Sequence, residues 1–152
     1  MWRHVRYVLG LLALCAIATC PTAKRSCNAK IRAREAAQLI GVIADKVEQR
    51  VAVTGRVPTT AAPRSPGVPC CEQGGLCQPD PETWAAPGWK ELEFSIDDPY
   101  RYQYEYAPDP NGQSAIVRAV GNLDCDQQPS LYELQLTVKG TALVRTWTHR
   151  DP

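Results

Sequence analysis

The sequence predicts an α+β domain: one long N-terminal helix packed on a small antiparallel β-sheet, with a proline- and cysteine-rich loop between them. Three observations carry this expectation. Apolar residues recur every four positions from Leu39 to Val51, seven prolines crowd the stretch from Pro58 to Pro87, and a period-two alternation begins at Tyr100.

The chain has 152 residues, the length of one domain, with 17 Lys+Arg against 16 Asp+Glu. That balance speaks against a nucleic-acid binder, whose domain carries a clear basic excess. In order, the expected parts are a signal peptide at 1–18, an N-terminal segment with the amphipathic helix at 19–57, the Pro/Cys-rich loop at 58–88 and the sheet at 89–152. A single globular domain is expected over 28–150.

Arg3, His4 and Arg6 open the chain, and Val8 to Ala18 is an apolar run shorter than the roughly 20 residues a membrane-spanning helix needs. Ala16-Ile17-Ala18 supplies the small-x-small pattern of a secretory cleavage site. Two other readings stand beside cleavage after Ala18: lipid attachment at Cys20, with Leu14 to Cys20 as a degenerate lipobox, and retention of the segment as an anchor. All three export the chain, to the periplasm, the outer membrane or the outside. Membrane contact is expected only through this segment or a lipid on Cys20.

The chain has seven cysteines. Cleavage after Ala18 removes Cys15 and leaves Cys20, Cys27, Cys70, Cys71, Cys77 and Cys125, an even set whose default state in an exported protein is disulfide-bonded. A zinc site is disfavoured because no C-x-x-C pair is present. Lipidation of Cys20 would leave an odd number.

The helix comes next. Leu39, Ile43, Val47 and Val51 form a stripe that Ile31, Ala36 and Ile40 widen. Asp45, Lys46, Glu48, Gln49 and Arg50 take the other side, and Gly55 with Pro58 ends the run. The stripe is expected to pack on a sheet rather than insert in a membrane, since Asp45 and Glu48 do not suit an anionic lipid surface.

Pro58 to Pro87 reads as a loop in which neither helix nor central strand fits, because proline lacks an amide donor and has a fixed backbone angle. Within it, adjacent cysteines rarely bond each other. Either Cys70 or Cys71 therefore pairs with Cys77, restraining the loop, and the other reaches a distant partner.

From Trp89 the signal turns to strands. Tyr100, Tyr102, Tyr104 and Tyr106 alternate with Arg101, Gln103 and Glu105, which sets every tyrosine on one face. Asp109-Pro110-Asn111-Gly112 is a turn. Ser114–Val120 makes a second strand and Leu131–Val138 a third, with Leu134, Leu136 and Val138 inward. Lys139-Gly140 turns again, and Ala142–Thr148 makes a fourth.

One stretch carries a family resemblance. Pro69-Cys70-Cys71, Gln78-Pro79-Asp80-Pro81 and Trp84 to Pro87 lead to Trp89-Lys90-Glu91-Leu92 and Phe94-Ser95-Ile96-Asp97-Asp98-Pro99-Tyr100. Tyr102-Gln103-Tyr104-Glu105 and Ala119-Val120-Gly121-Asn122-Leu123-Asp124-Cys125-Asp126 complete the ordered set. Together they resemble the C-terminal part of type IV pilin-like and type II secretion pseudopilin-like proteins of the myxobacterial kind, over roughly Ala29 to Glu133. The resemblance implies a pilin-like fold, protein partners among pilus or secretion components, and a structural role. Arg3–Ala18 reads as an ordinary signal where that family has a prepilin leader and a long hydrophobic helix, so the resemblance extends to the globular domain and not to filament assembly.

Candidate chemistry is sparse. From Asn122 to Glu133 oxygen-bearing side chains fall at the first, third, fifth, ninth and twelfth places (Asn122, Asp124, Asp126, Ser130 and Glu133), with the carbonyl of Gln128 at the seventh. This is the ligand spacing of a twelve-residue calcium loop, and the resemblance adds weight, since related pseudopilins hold calcium in a C-terminal loop. Asn122 stands in place of the usual first aspartate and Gln127 in place of the turn glycine. The plainer reading is a solvated acidic turn with Cys125 in a disulfide.

Twelve acidic residues face only Lys90, Arg101 and Arg118 between Glu72 and Glu133, while Lys24–Arg34 holds five basic residues and no acidic one. Such a split could orient the molecule on anionic headgroups but is more simply a solvated surface. The tyrosine face, with Trp84, Trp89 and Trp147, is expected to pack under the helix rather than serve as a ligand platform. Asp97 and Asp98 are neighbours and would point to opposite faces of a strand, unsuited to paired acid–base work. With no G-x-S-x-G elbow, histidine pair or phosphate loop, the expectation is a protein that is not an enzyme.

Overall fold

Helix α1 spans residues 34–54 in the computed structural model, which describes residues 34–126 and 128–150, with side chains through Thr148. The signal segment 1–18, Cys20, Cys27, the basic run from Lys24 to Arg32, Ile31 and Gln127 lie outside the described residues. The stripe read from the sequence is the buried face: Ala36, Ile40, Ile43, Ala44 and Val47 are fully enclosed and Val51 nearly so, with Leu39 partly covered. Enclosing each Ile or Val side chain contributes about 1.5–3 kcal/mol. Gly55 ends the helix at φ 71, and its N–H reaches back to the Val51 carbonyl at 2.8 Å, the left-handed stop that glycine adopts without steric cost. Among the described residues no helix is long and apolar enough to cross a membrane.

The sheet is antiparallel throughout and has five strands in sequential order: β1 (Ala62–Ser65), β2 (Gln103–Pro108), β3 (Ser114–Gly121), β4 (Ser130–Lys139) and β5 (Ala142–Arg150). With α1 this makes an α+β architecture. The two expected turns are present. Gly112 donates to the Asp109 carbonyl at 2.9 Å between β2 and β3, and Gly140, at φ 64, lies between β4 and β5. Leu134 and Leu136 point into the core, with Val138 packed against its edge.

Two expectations need correction. The 58–88 stretch is not a featureless loop. It contributes β1, paired with β2, and one-turn 3-10 segments at Cys70–Gln73 and Pro81–Trp84, and then runs into the short helix α2 (Pro87–Glu91). An edge strand is hydrogen-bonded on one side only, so Pro63 fits where no donor is required. The sheet consequently draws on residues before 89. Nor do strands begin at Trp89. That residue lies in α2, and Tyr100 precedes β2, joined to Cys77 by an isolated bridge of reciprocal backbone hydrogen bonds at 2.8 and 3.1 Å.

The tyrosines form the floor on which α1 rests. Tyr100, Tyr102, Tyr104 and Tyr106 are all buried, and Trp84, Trp89 and Phe94 pack beside them in edge-on and tilted contacts 5.3–5.8 Å apart. Large rings therefore supply the bulk that a single phenylalanine cannot. Arginine–carboxylate pairs fasten the helix at three points along its length. Glu35 accepts from the Arg101 backbone N–H at 2.6 Å and from its guanidinium at 3.1 Å. Asp45 and Glu48 both accept from Arg145 on β5, the former at 2.8 Å. Arg50 reaches Glu93 at 3.0 Å and the Glu91 carbonyl at 3.1 Å.

Candidate functional site

The Pro/Cys-rich loop is tied to the sheet by two disulfides, Cys70–Cys77 and Cys71–Cys125. The first closes a small loop within the segment. The second joins it to the β3–β4 turn, 54 residues away in sequence. Of the two pairings open for the adjacent cysteines, Cys70 takes Cys77 because it points inward, 3% exposed beside fully enclosed Cys77, while Cys71 faces the turn. Cys125 meets it from a positive φ of 59°.

That turn holds the residues with calcium-loop spacing. The Asn122 side chain closes it, donating to the Asp126 carbonyl and accepting from the Asp126 N–H at 3.1 Å. The Asp126 carboxylate accepts from the Gln128 N–H at 2.6 Å. Ser130 begins β4 opposite Gly121. Glu133 lies further along β4 with both oxygens engaged: Oε2 accepts from Arg118 Nε at 2.6 Å and Oε1 from the Thr148 hydroxyl at 2.8 Å. The place where a calcium loop has its bidentate carboxylate is thus occupied by an ion pair. Among the described residues no group of three or more acidic, histidine or cysteine side chains is gathered to hold a metal.

Two open depressions flank the clamped loop. One, of about 420 Å³, sits over the Cys71–Cys125 bridge, with Arg64, Glu72, Arg101 and Asn122 around it. The other, of about 520 Å³, has an acidic rim of Asp80, Glu82, Glu93 and Asp97, with Lys90 the one basic group. Its walls are the covered faces of Trp84, Trp89 and Phe94. Asp80 is partly committed, since its carboxylate caps the following turn through the Glu82 N–H at 3.0 Å. Asp97 and Asp98 lie in an exposed loop rather than a strand. Such a rim suits contact with basic side chains.

Buried polar atoms show where the core is tightly satisfied and where it is not. Trp89 Nε1 donates to Ser65 Oγ at 2.9 Å, and the Tyr106 hydroxyl to the Pro58 carbonyl at 2.7 Å. Trp84 Nε1 and the Tyr104 hydroxyl have no hydrogen-bond partner among the described residues. Burial raises the Tyr104 phenol well above its ordinary value, and Glu35 adds to the shift. Burial raises Tyr106 likewise. For Arg145 burial alone would lower the guanidinium, but the hydrogen bonds it donates to Asp45 and Glu48 outweigh that and hold the group above its usual range.

A feature that sequence reasoning missed lies on the solvent face of the sheet. Arg64, Glu105, Arg118, Glu133 and Thr148 follow one another across all five strands, each hydrogen-bonded to the next. Alternation with the tyrosines put Glu105 on this face. Its neighbours, however, are set by strand register, which alternation does not contain.

Compared with protein-family models, curated proteins and solved structures, the chain matches none.

Proposed function

We propose that this chain is an exported, pilin-like domain without enzymatic activity, which acts through protein contacts near pilus or secretion machinery. The observation that carries the reading is the order and joining of the parts: an amphipathic helix laid on an antiparallel sheet, and between them a loop clamped to the sheet by disulfides. A covalently pinned surface loop is a display device. It holds the segment that carries exposed Asp80 and Glu82, two of the carboxylates of the acidic rim, in place for a partner. Two disulfides accord with an exported chain. The four cysteines in them carry no free thiol. The reading requires no calcium.

Affinity purification of the chain from native membranes, with mass measurement of the intact mature form, tests the proposal. Recovery of pilus or secretion components with a chain lacking residues 1–18 and unlipidated is the expected result. A purification returning no such component overturns the machinery assignment. A diacyl or triacyl mass at Cys20 would instead make the chain an outer-membrane lipoprotein that displays the domain for ligand binding or adhesion.

A further inference from the structure

The two disulfides of the clamped loop sit in opposite surroundings. Cys70 and Cys77 are buried and belong to the hydrophobic core. Cys125 is exposed on the β3–β4 turn and Cys71 is half-buried, and both border the open depression of about 420 Å³. Cys70 touches that depression too, but is almost wholly enclosed. A disulfide is cleaved by a thiolate that must reach one of its sulfurs, so access decides which bridge exchanges. Cys125 also holds a φ of 59°, a left-handed conformation that a non-glycine residue keeps only where its surroundings enforce it. Cutting the Cys71–Cys125 bond removes one such constraint. The segment on the other side keeps its own fastenings. Cys77 exchanges two backbone hydrogen bonds with Tyr100 at 2.8 and 3.1 Å, and the Gly75 N–H donates to the Cys70 carbonyl at 2.8 Å. The Gln73 amide donates to the Val68 carbonyl at 2.9 Å.

We propose that Cys71–Cys125 is a thiol-exchange site: an external thiolate opens this bridge and leaves Cys70–Cys77 joined, so that the loop parts from the β3–β4 turn while the domain stays folded. The proposal is independent of the pilin-like reading. Attack falls on the Cys125 sulfur, since that residue is the more open of the two. A new S–S bond forms between the incoming sulfur and Cys125, the old bond breaks, and its electron pair stays on Cys71, which leaves as a thiolate. With a dithiol, the second thiolate displaces Cys125 in turn. The dithiol is then oxidised to its disulfide and the protein bridge is reduced, the two protons given up by the dithiol ending on Cys71 and Cys125. With a monothiol, Cys125 keeps the added group until a second thiol removes it or Cys71 attacks Cys125 again and recloses the clamp. The core survives opening because Cys70 and Cys77 lie in it and Cys71 and Cys125 do not.

Timed alkylation of the full wild-type chain reads the result. The protein is exposed in separate arms to reduced glutathione and to reduced thioredoxin, quenched with an alkylating reagent, and mapped by peptide fragmentation. Cys71–Cys125 is expected to open about tenfold faster than Cys70–Cys77 in at least one arm. The glutathione adduct is expected on Cys125, and tertiary circular dichroism is expected to persist while only that bridge is open. Faster opening by glutathione identifies a small thiol as the reagent, and faster opening by thioredoxin a protein dithiol. Equal rates for the two bridges, or the reverse order, overturn the proposal. So does an adduct on Cys71, a Cys71–Cys125 bridge that resists both reagents, or loss of tertiary circular dichroism as the first bridge opens.

Discussion

Arg118 on β3 stands directly opposite Glu133 on β4 and donates to it at 2.6 Å, while Glu105, opposite Arg118 on β2, accepts from the same guanidinium at 3.4 Å. One cation thus separates two carboxylates on neighbouring strands. Arg64 and Thr148 extend the row to both edges of the sheet, at 3.1 and 2.8 Å. The side chains of Arg118, Glu105 and Glu133 are 27, 25 and 21% exposed, so water screens them less than it would a surface pair.

Arg118→Met should therefore lower stability by about 1–2 kcal/mol, because it leaves the two carboxylates without the cation between them. Urea unfolding midpoints of Arg118→Met, Glu133→Gln and the double variant measure this. The double variant should cost less than the sum of the singles.

The two disulfides should contribute unequally. On the chain-entropy account, the bridge spanning 54 residues restrains the unfolded chain by about 4 kcal/mol and the one spanning 7 by about 2.5 kcal/mol. Unfolding of Cys71→Ser/Cys125→Ser should thus show the larger loss, and Cys70→Ser/Cys77→Ser the smaller. The reverse order would show that loop length does not govern their effect.

Two neighbouring tyrosines should respond oppositely to loss of the hydroxyl. Tyr106→Phe leaves the Pro58 carbonyl without its donor and should cost about 1–2 kcal/mol. Tyr104→Phe removes a buried hydroxyl that has no partner among the described residues and should be neutral or stabilising by about 1 kcal/mol. Thermal melting of the two variants decides.

Burial raises the phenols of Tyr104 and Tyr106 above the ordinary value of 10.0, so the folded state binds their protons more tightly than the unfolded state does. Their contribution is complete below pH 10 and falls as pH rises beyond it, since ionisation then favours the unfolded chain. In an alkaline titration, ionisation of Tyr104 and Tyr106 should appear in the tyrosinate absorbance only as tertiary circular dichroism is lost.

Gly88 sits where α2 passes β1, and a methyl group there would overlap the backbone of Ala61 and Ala62. Backbone on both sides leaves nothing flexible to give way, so Gly88→Ala should cost about 1–3 kcal/mol or more. A lowered melting temperature with the disulfides intact is the expected observation.

Periodicity made much of this fold legible. The i, i+4 stripe from Leu39 to Val51 and the alternation of Tyr102, Tyr104 and Tyr106 each record which side of an element avoids water, and that preference is written locally, residue by residue. Turn chemistry at Asp109–Gly112 and at Gly140 is local for the same reason. The calcium-like spacing from Asn122 to Glu133 was equally visible, but spacing says nothing of prior commitments: Glu133 is held by Arg118, a residue on another strand. Pro63 masked β1, because a proline excludes a central strand while an edge tolerates it, and edge position is a property of the assembled sheet. By itself the sequence determined the helix face, the aromatic core and the choice of two pairings for Cys70 and Cys71. Only the tertiary structure selected Cys70–Cys77 with Cys71–Cys125 and aligned Arg64, Glu105, Arg118, Glu133 and Thr148, since register and cross-link choice depend on distances between segments far apart in the chain.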